Sequence, residues 1–183
     1  MRKLYLLERR IGSRRREGGV TINEPGLPFR KTEKREGLTM EEMSDILLVE
    51  DNKYNVEFIL DALSKQNLAH RVKVFRDGGE TLDYLFAPRE HSDRHSFKQP
   101  SVILLDLRLP KVDGLEVLRM LRSNETTKMI PVVVFSSSTN DQDRIDSYRL
   151  GANSFIVKPI AYDKFVETVT EIGSYWALQN APP

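Results

Sequence analysis

Four apolar runs in this chain each end on a group that can do chemistry. Residues 46–49 (Ile-Leu-Leu-Val) run into Glu50 and Asp51, and residues 102–105 (Val-Ile-Leu-Leu) into Asp106. Residues 131–135 (Pro-Val-Val-Val-Phe) run into Ser136, Ser137 and Ser138, and residues 154–157 (Ser-Phe-Ile-Val) into Lys158 and Pro159. Three carboxylates drawn together repel one another, and such a cluster persists by keeping a proton or by binding a cation. Oxygen-only donors favour a hard ion, and a shell with room for waters favours Mg2+ over Ca2+. A divalent ion beside a carboxylate, an ammonium and a hydroxyl makes a site for a phosphoryl group, where Asp106 can attack phosphorus in line. Formation of an aspartyl phosphate is the reaction this set suggests. Polar residues that merely cap the helices after each strand would explain any one exit, but poorly all four together.

That chemistry requires the four exits to share an edge. Unbroken apolar runs of four or five residues suit strands buried on both faces. Residues 71–75, Arg-Val-Lys-Val-Phe, alternate as an edge strand should. Between the strands lie helical spacings. Residues 52–66 carry Val56, Ile59, Leu60 and Leu63, with Asp51 or Asn52 as cap and Asn67 as stop. Residues 81–87 form a short helix after an Asp77-Gly78-Gly79 turn, and Gly114 opens a helix with Leu115, Val117, Leu118 and Leu121 inward. Thr139 or Asn140 caps a helix to residue 150 whose apolar stripe is thin, so it is expected to be loosely held, with Gly151 ending it. Residues 162–179 form the last helix, with Phe165, Val166, Val169, Ile172 and Trp176 at helical spacing. Strand and helix alternating five times give an α/β fold: a parallel sheet with right-handed crossovers and helices on both faces. In such a sheet, ligands gather outside the carboxyl ends of the strands, where Asp106 stands.

The chain has 183 residues, enough for one domain with some excess. It has no cysteine, which excludes disulfides and thiolate metal sites and fits a reducing cytosol. No apolar run approaches the ~20 residues of a membrane span, and the expectation is a cytoplasmic protein that binds no membrane. Residues 1–43 hold 11 Lys and Arg against 7 Asp and Glu, whereas residues 44–183 hold 17 against 20. The mildly acidic main body argues against a general nucleic-acid binder. Residues 1–43 lack a sustained period and carry Gly18-Gly19, Pro25-Gly26 and Arg14-Arg15-Arg16. They read as a disordered basic leader, or as a start set too early with Met40 or Met43 the real one. A basic arm on nucleic acid or an anionic membrane is the functional alternative. The main domain is expected over 44–183.

Residues 45–178 resemble the receiver domain of bacterial two-component response regulators. The resemblance rests on Glu50-Asp51, Asp106 with Pro110 and Asp113-Gly114, Ser136, Lys158-Pro159, and Gly151-Ala152 before the last strand. The steps of 30 residues from Asp106 to Ser136 and 22 from Ser136 to Lys158 are also those of receivers. It implies a flavodoxin-like five-stranded parallel sheet of order 2-1-3-4-5, an order carried over from known receivers rather than read from these residues. It implies Asp106 as phosphoacceptor, with Mg2+ held directly by Asp51, Asp106 and the backbone carbonyl of Arg108, and by Glu50 through water. Lys158 would hold the acyl phosphate, across a cis bond to Pro159. Ser136, with Ser137 beside it, would be the switch hydroxyl, and Phe155 its aromatic partner. Plain core packing explains Phe155 equally well.

A long loop at 88–99, the 135–138 Phe-Ser-Ser-Ser segment, residues 147–153 and a Trp-bearing final helix look like the small stand-alone regulators that partner bacterial phytochrome kinases. The implied partner is a sensor histidine kinase, and with the sequence ending at Pro183 the expectation is a regulator without an output domain. Signalling would then use the face of residues 139–150, 154–157 and 161–179, with Tyr175 and Trp176 as candidate homodimer anchors. Trp176 could instead simply cover the core. His91 and His95 stand four apart on a loop without the third ligand a zinc site needs. Two other functions compete. A Mg2+-dependent phosphohydrolase would want a second acid two residues after Asp106, where Arg108 stands. A phosphate-independent interaction domain would keep the acids for metal or stability alone.

Overall fold

The computed structural model describes residues 46–87 and 99–181. The leader at 1–43 and the loop bearing His91 and His95 lie outside the described residues. Five strands, β1 (Ile46–Val49), β2 (Val72–Phe75), β3 (Val102–Leu105), β4 (Val132–Ser136) and β5 (Ser154–Val157), alternate with five helices. The helices are α1 (Lys53–Ser64), α2 (Gly78–Phe86), α3 (Gly114–Ser123), α4 (Asp141–Arg149) and α5 (Tyr162–Gly173). The sheet order is β2-β1-β3-β4-β5 with every neighbouring pair parallel, as expected.

Side chains alternate across the sheet with period 2. Leu47, Val49, Ile103, Leu105, Val132 and Val134 enter a core built with α2 and α3. Ile46, Leu48, Val102, Leu104, Val133 and Phe135 enter a second core built with α1 and α5. Each fully buried aliphatic side chain contributes about 1.5–3 kcal/mol, so the three central strands anchor everything at their ends. Register then brings the exits together: Val49 lies opposite Leu105, Leu105 opposite Val134, and Ser136 opposite Val157.

Four helices begin on a side-chain cap. Asn52, Asp77, Asp113 and Asn140 each accept a hydrogen bond from a backbone N–H two or three residues on, each worth about 1 kcal/mol. The Asp77 cap is why α2 starts at Gly78 rather than at 81: the expected turn is already the first helical turn. Helix α4 buries only Ser147, so its thin stripe is real, and Gly151 at φ +94° closes it in the left-handed region. Two elements differ from expectation. β5 is the second edge strand, as the order 2-1-3-4-5 requires, but it is partly exposed along its length, with Val157 41% exposed, rather than buried on both faces. The last helix is α-helical only to Gly173 and continues as wider π-type turns over Ser174–Gln179. Trp176 packs on the α1–α5 core, whereas Tyr175 and Leu178 are exposed. Among the described residues no helix is long and apolar enough to cross a membrane.

Candidate metal and phosphoryl site

The parallel ladder runs one residue past β1, β3 and β5 and carries the functional groups with it. The Asp106 N–H donates to the Val49 carbonyl at 3.0 Å, that of Glu50 to Phe75 at 3.0 Å, and that of Lys158 to Ser136 at 2.8 Å. The side chains converge in turn. Lys158 Nζ lies 2.5 Å from both Glu50 Oε2 and Asp106 Oδ2. Asp106 Oδ1 accepts from Ser136 Oγ at 2.6 Å, from the Leu107 N–H at 2.6 Å and from the Arg108 N–H at 3.3 Å. Glu50 Oε1 accepts from the Asn52 N–H at 3.2 Å and from Asn55 Nδ2 at 3.0 Å. Glu50, Asp106, Lys158 and Ser136 are all buried, none more than 8% exposed. Charges this deep persist only when paired and hydrogen-bonded, and here two carboxylates share one ammonium.

Asp51 adds a third carboxylate at the solvent side. It is exposed, and one oxygen from each of Glu50, Asp51 and Asp106 lies within 4.8 Å of the others. Arg76 reaches the Asp51 backbone carbonyl at 3.3 Å, not its carboxylate. Three acids against one ammonium leave an excess of two negative charges in one small volume. A divalent cation is the neutralising partner of matching charge, and oxygen donors with one side open to water suit Mg2+. The residues present therefore fit such an ion.

The loop from Leu107 to Asp113 wraps tightly over the end of β3. The Gly114 N–H donates to the Leu107 carbonyl at 2.9 Å, and a Cβ on Gly114 would stand 2.2 Å from the Asp106 carbonyl oxygen. Only glycine allows that approach. Lys111, at φ +63°, pairs with Asp77 at 2.7 Å and ties this loop to the start of α2. Their hydrogen bond holds the Asp77 carboxyl below its ordinary value and the Lys111 ammonium above its own.

Glu50, Asp51, Asp106, Ser136 and Lys158 thus meet as their types suggested. Ser137 does not join them: it is exposed, on the rim of a pocket of about 260 Å³ that Lys158, Pro159, Phe58 and Tyr162 also line. Phe155 is half-buried against the α2–α3 core. Tyr175 and Trp176 lie at the chain's far helix, in edge contact with ring centroids 5.0 Å apart. The Arg108 side chain turns to α4 and pairs with Asp143 Oδ2 at 2.6 Å, the same oxygen that accepts from Ser138 Oγ at 2.5 Å. Sequence reasoning gives Asn55 and Asp143 no role, and Ser138 none beyond its place in the serine run. Asn55 carries a weak signal, one helical turn inside α1, but a pair 35 residues apart carries none.

The family model of the response regulator receiver domain matches residues 46–170. The probable methanogenesis regulatory protein FilR2 of Methanothrix harundinacea is 41% identical over 138 residues, 75% of this chain and 86% of that protein. Response regulator Rcp1 of Synechocystis is 36% identical over 131 residues, 72% of this chain and 87% of its own length. Rcp1 is known as a Mn2+-bound crystal structure, which superposes with a TM-score of 0.67 over 75% of this chain and 97% of that one. The structure of the phosphorylated cyanobacterial phytochrome response regulator RcpA superposes with a TM-score of 0.68 at 40% identity, over 75% of this chain and 96% of that one.

Proposed function

This chain belongs to the response regulator receiver domain family, and from that premise we propose that it accepts a phosphoryl group on Asp106 from a histidine kinase and changes its outer surface in response. The observation that carries the proposal is the Asp106 carboxylate itself, buried, held by Ser136 and Lys158, and flanked by two further acids. An Asp106 oxygen attacks phosphorus, the bond from phosphorus to the donor's imidazole nitrogen breaks, and that nitrogen takes up a proton. Mg2+, when held by Asp51, Asp106, the Arg108 carbonyl and Glu50 through water, supplies positive charge to the phosphoryl oxygens. Lys158 moves from its carboxylate partners onto a phosphoryl oxygen, and Ser136 turns its hydroxyl the same way. Phe155 follows inward into the space Ser136 leaves. The Leu107 N–H keeps Asp106 oriented throughout.

Kinship with RcpA supports a phytochrome-type sensor kinase as the donor, and a cytoplasmic setting goes with it. The exposed Tyr175 and the α4–β5–α5 face support self-association, with Trp176 backing Tyr175 from the core side. Turnover of phosphoesters is disfavoured, because the position two beyond Asp106 holds a guanidinium already engaged by Asp143.

Incubation with acetyl phosphate and Mg2+, followed by intact mass, tests the proposal. One phosphoryl adduct is expected on the wild type and none on Asp106→Ala. No adduct on either would leave an interaction domain that works without phosphate, and rapid multiple turnover would indicate a phosphohydrolase.

A further inference from the structure

Helix α4 is held in an unusual manner. It buries a single residue, Ser147, and its exposed Ile145 and Tyr148 add little to the core. What fastens it is polar, at both ends. At the far end, half-buried Arg122 of α3 donates to the Gly151 carbonyl at 2.9 Å, to the Ile130 carbonyl at 3.0 Å and to Asn153 Oδ1 at 3.0 Å. These partners belong to the rigid start of β4 and the turn into β5. At the site end, Asp143 in the first turn takes Arg108 and Ser138 on one oxygen. Ser138 in turn donates its N–H to Ser136 Oγ at 3.4 Å, and Ser136 donates to Asp106. The root of Arg108 is just as close to the acceptor, since its own N–H donates to Asp106 Oδ1 at 3.3 Å.

Arg108 therefore stands between two anionic positions, one occupied now and one created by phosphorylation. We propose, on the reading that Asp106 is phosphorylated, that Arg108 is a transferable clip: it pins the first turn of α4 through Asp143 and crosses to the phosphoryl group when that forms. The physical reason is the ranking of its partners. A guanidinium binds a phosphoryl group in a two-pronged, charge-assisted fashion, and an added phosphoryl carries more charge than one carboxylate. The Arg108–Asp143 pair is screened by water on its cationic side, the Arg108 side chain being 62% exposed against 13% for Asp143. Once Arg108 leaves, Asp143 keeps only Ser138, and the Ser138 contact weakens as Ser136 turns. The site end of α4 comes free while Arg122 holds the other end, so α4 pivots about Gly151. Arg108 acts as a positioning residue and takes no part in bond making.

Hydrogen exchange of α4 amides, measured with and without acetyl phosphate and Mg2+ alongside intact mass, tests this. In the wild type, protection of residues 141–147 should fall about threefold on phosphorylation, the worth of one exposed ion pair. Asp143→Asn, which still forms the adduct, should show that lower protection before phosphorylation and little further change after it. Arg108→Ala should show the same, read in whatever fraction carries the adduct by intact mass. Arg108→Lys, which keeps the charge, should restore part of the response. Protection of 150–153 should stay constant throughout. An equal phosphorylation-induced drop in wild type and both clip variants would overturn the proposal, as would no drop in the wild type. Absence of the adduct from the wild type is a separate result, and it removes the reading of Asp106 itself.

Discussion

Asp51→Asn is the change that most directly probes the charge excess at the site. The substitution is isosteric and leaves the Asp51 backbone carbonyl free to accept from Arg76. Asp51 faces a buried trio, Glu50, Asp106 and Lys158, whose net charge is one negative. At the 4.8 Å that spans the carboxylate oxygens, one repulsive pair costs about 0.9 kcal/mol in a water-like dielectric and about 3.5 kcal/mol at an effective value of 20. Asp51 is exposed, so the lower figure governs, and physiological salt roughly halves it. In EDTA the variant should therefore be about 0.5 kcal/mol more stable than the wild type, a gain that rises toward about 1 kcal/mol at low salt. Mg2+ should reverse the order. At ten times its dissociation constant the ion stabilises the wild type by about 1.4 kcal/mol, whereas a tenfold weaker site gains only about 0.4 kcal/mol. Urea unfolding followed by far-UV circular dichroism, with EDTA and with Mg2+, resolves both effects as midpoint shifts of a few tenths molar. A variant less stable than the wild type in EDTA, or one that Mg2+ stabilises equally, refutes the reasoning.

Three further perturbations follow from the same geometry. Lys158→Met leaves Glu50 and Asp106 buried without their shared ammonium. It should cost about 3–5 kcal/mol in urea unfolding, and adding Glu50→Gln should recover part of that. Gly114→Ala drives a methyl group into backbone atoms at 2.2 Å and 2.7 Å. It should cost about 3 kcal/mol, the upper range for overpacking, and slow formation of the adduct by shifting Asp106. Lys111→Met removes the Asp77 pair. The Asp77 carboxyl titrates below its ordinary 3.8, so its share of stability is present above that value and lost as pH falls through the lowered one. Lys111 titrates above its ordinary 10.5, so its share is present below that value and lost as pH rises through the raised one. The wild-type advantage over Lys111→Met should then be constant from about pH 5 to 9 and shrink beyond both ends; an advantage undiminished at about pH 2 would dismiss the pairing as its source.

The sheet and the chemistry at its edge were legible because both are local patterns. A run such as 102–105 declares a buried strand, and the residue after it must appear where the strand emerges. Caps were legible to within one residue for the same reason: Asp51 or Asn52 and Thr139 or Asn140 lie just ahead of helical spacing, and Asn52 and Asn140 are the ones that accept the hydrogen bonds. What stayed hidden depends on long-range geometry. β5 reads as buried because its residues are apolar, yet nothing pairs with its outer edge among the described residues. The π-type turns over Ser174–Gln179 leave no periodic trace strong enough to tell them from more α-helix. Arg108 reads as a cation near the site, but its partner Asp143 is set by how α4 lies against the β3–α3 loop.

The strand period also decides which serine matters. Counting by twos, Glu50 follows Ile46 and Leu48, Asp106 follows Val102 and Leu104, and Lys158 follows Ile156, all residues of the α1–α5 core. The acids and the amine thus come up in one phase and meet as a buried ionic trio. Ser136 follows Val132 and Val134, which belong to the α2–α3 core, the side on which Phe155 and Leu150 also pack. The hydroxyl therefore reaches Asp106 from the opposite face, the side on which Phe155 of β5 packs. Ser137, one residue on, shares the phase of the acids and Lys158 but lies past the end of β4, exposed on the pocket rim rather than against Asp106. It cannot replace Ser136, so Ser136→Ala should still form the adduct at Asp106 and keep only the part of the α4 response that Arg108 carries. A variant with the full wild-type response would show that the Ser136–Ser138 link adds nothing to the release of Asp143.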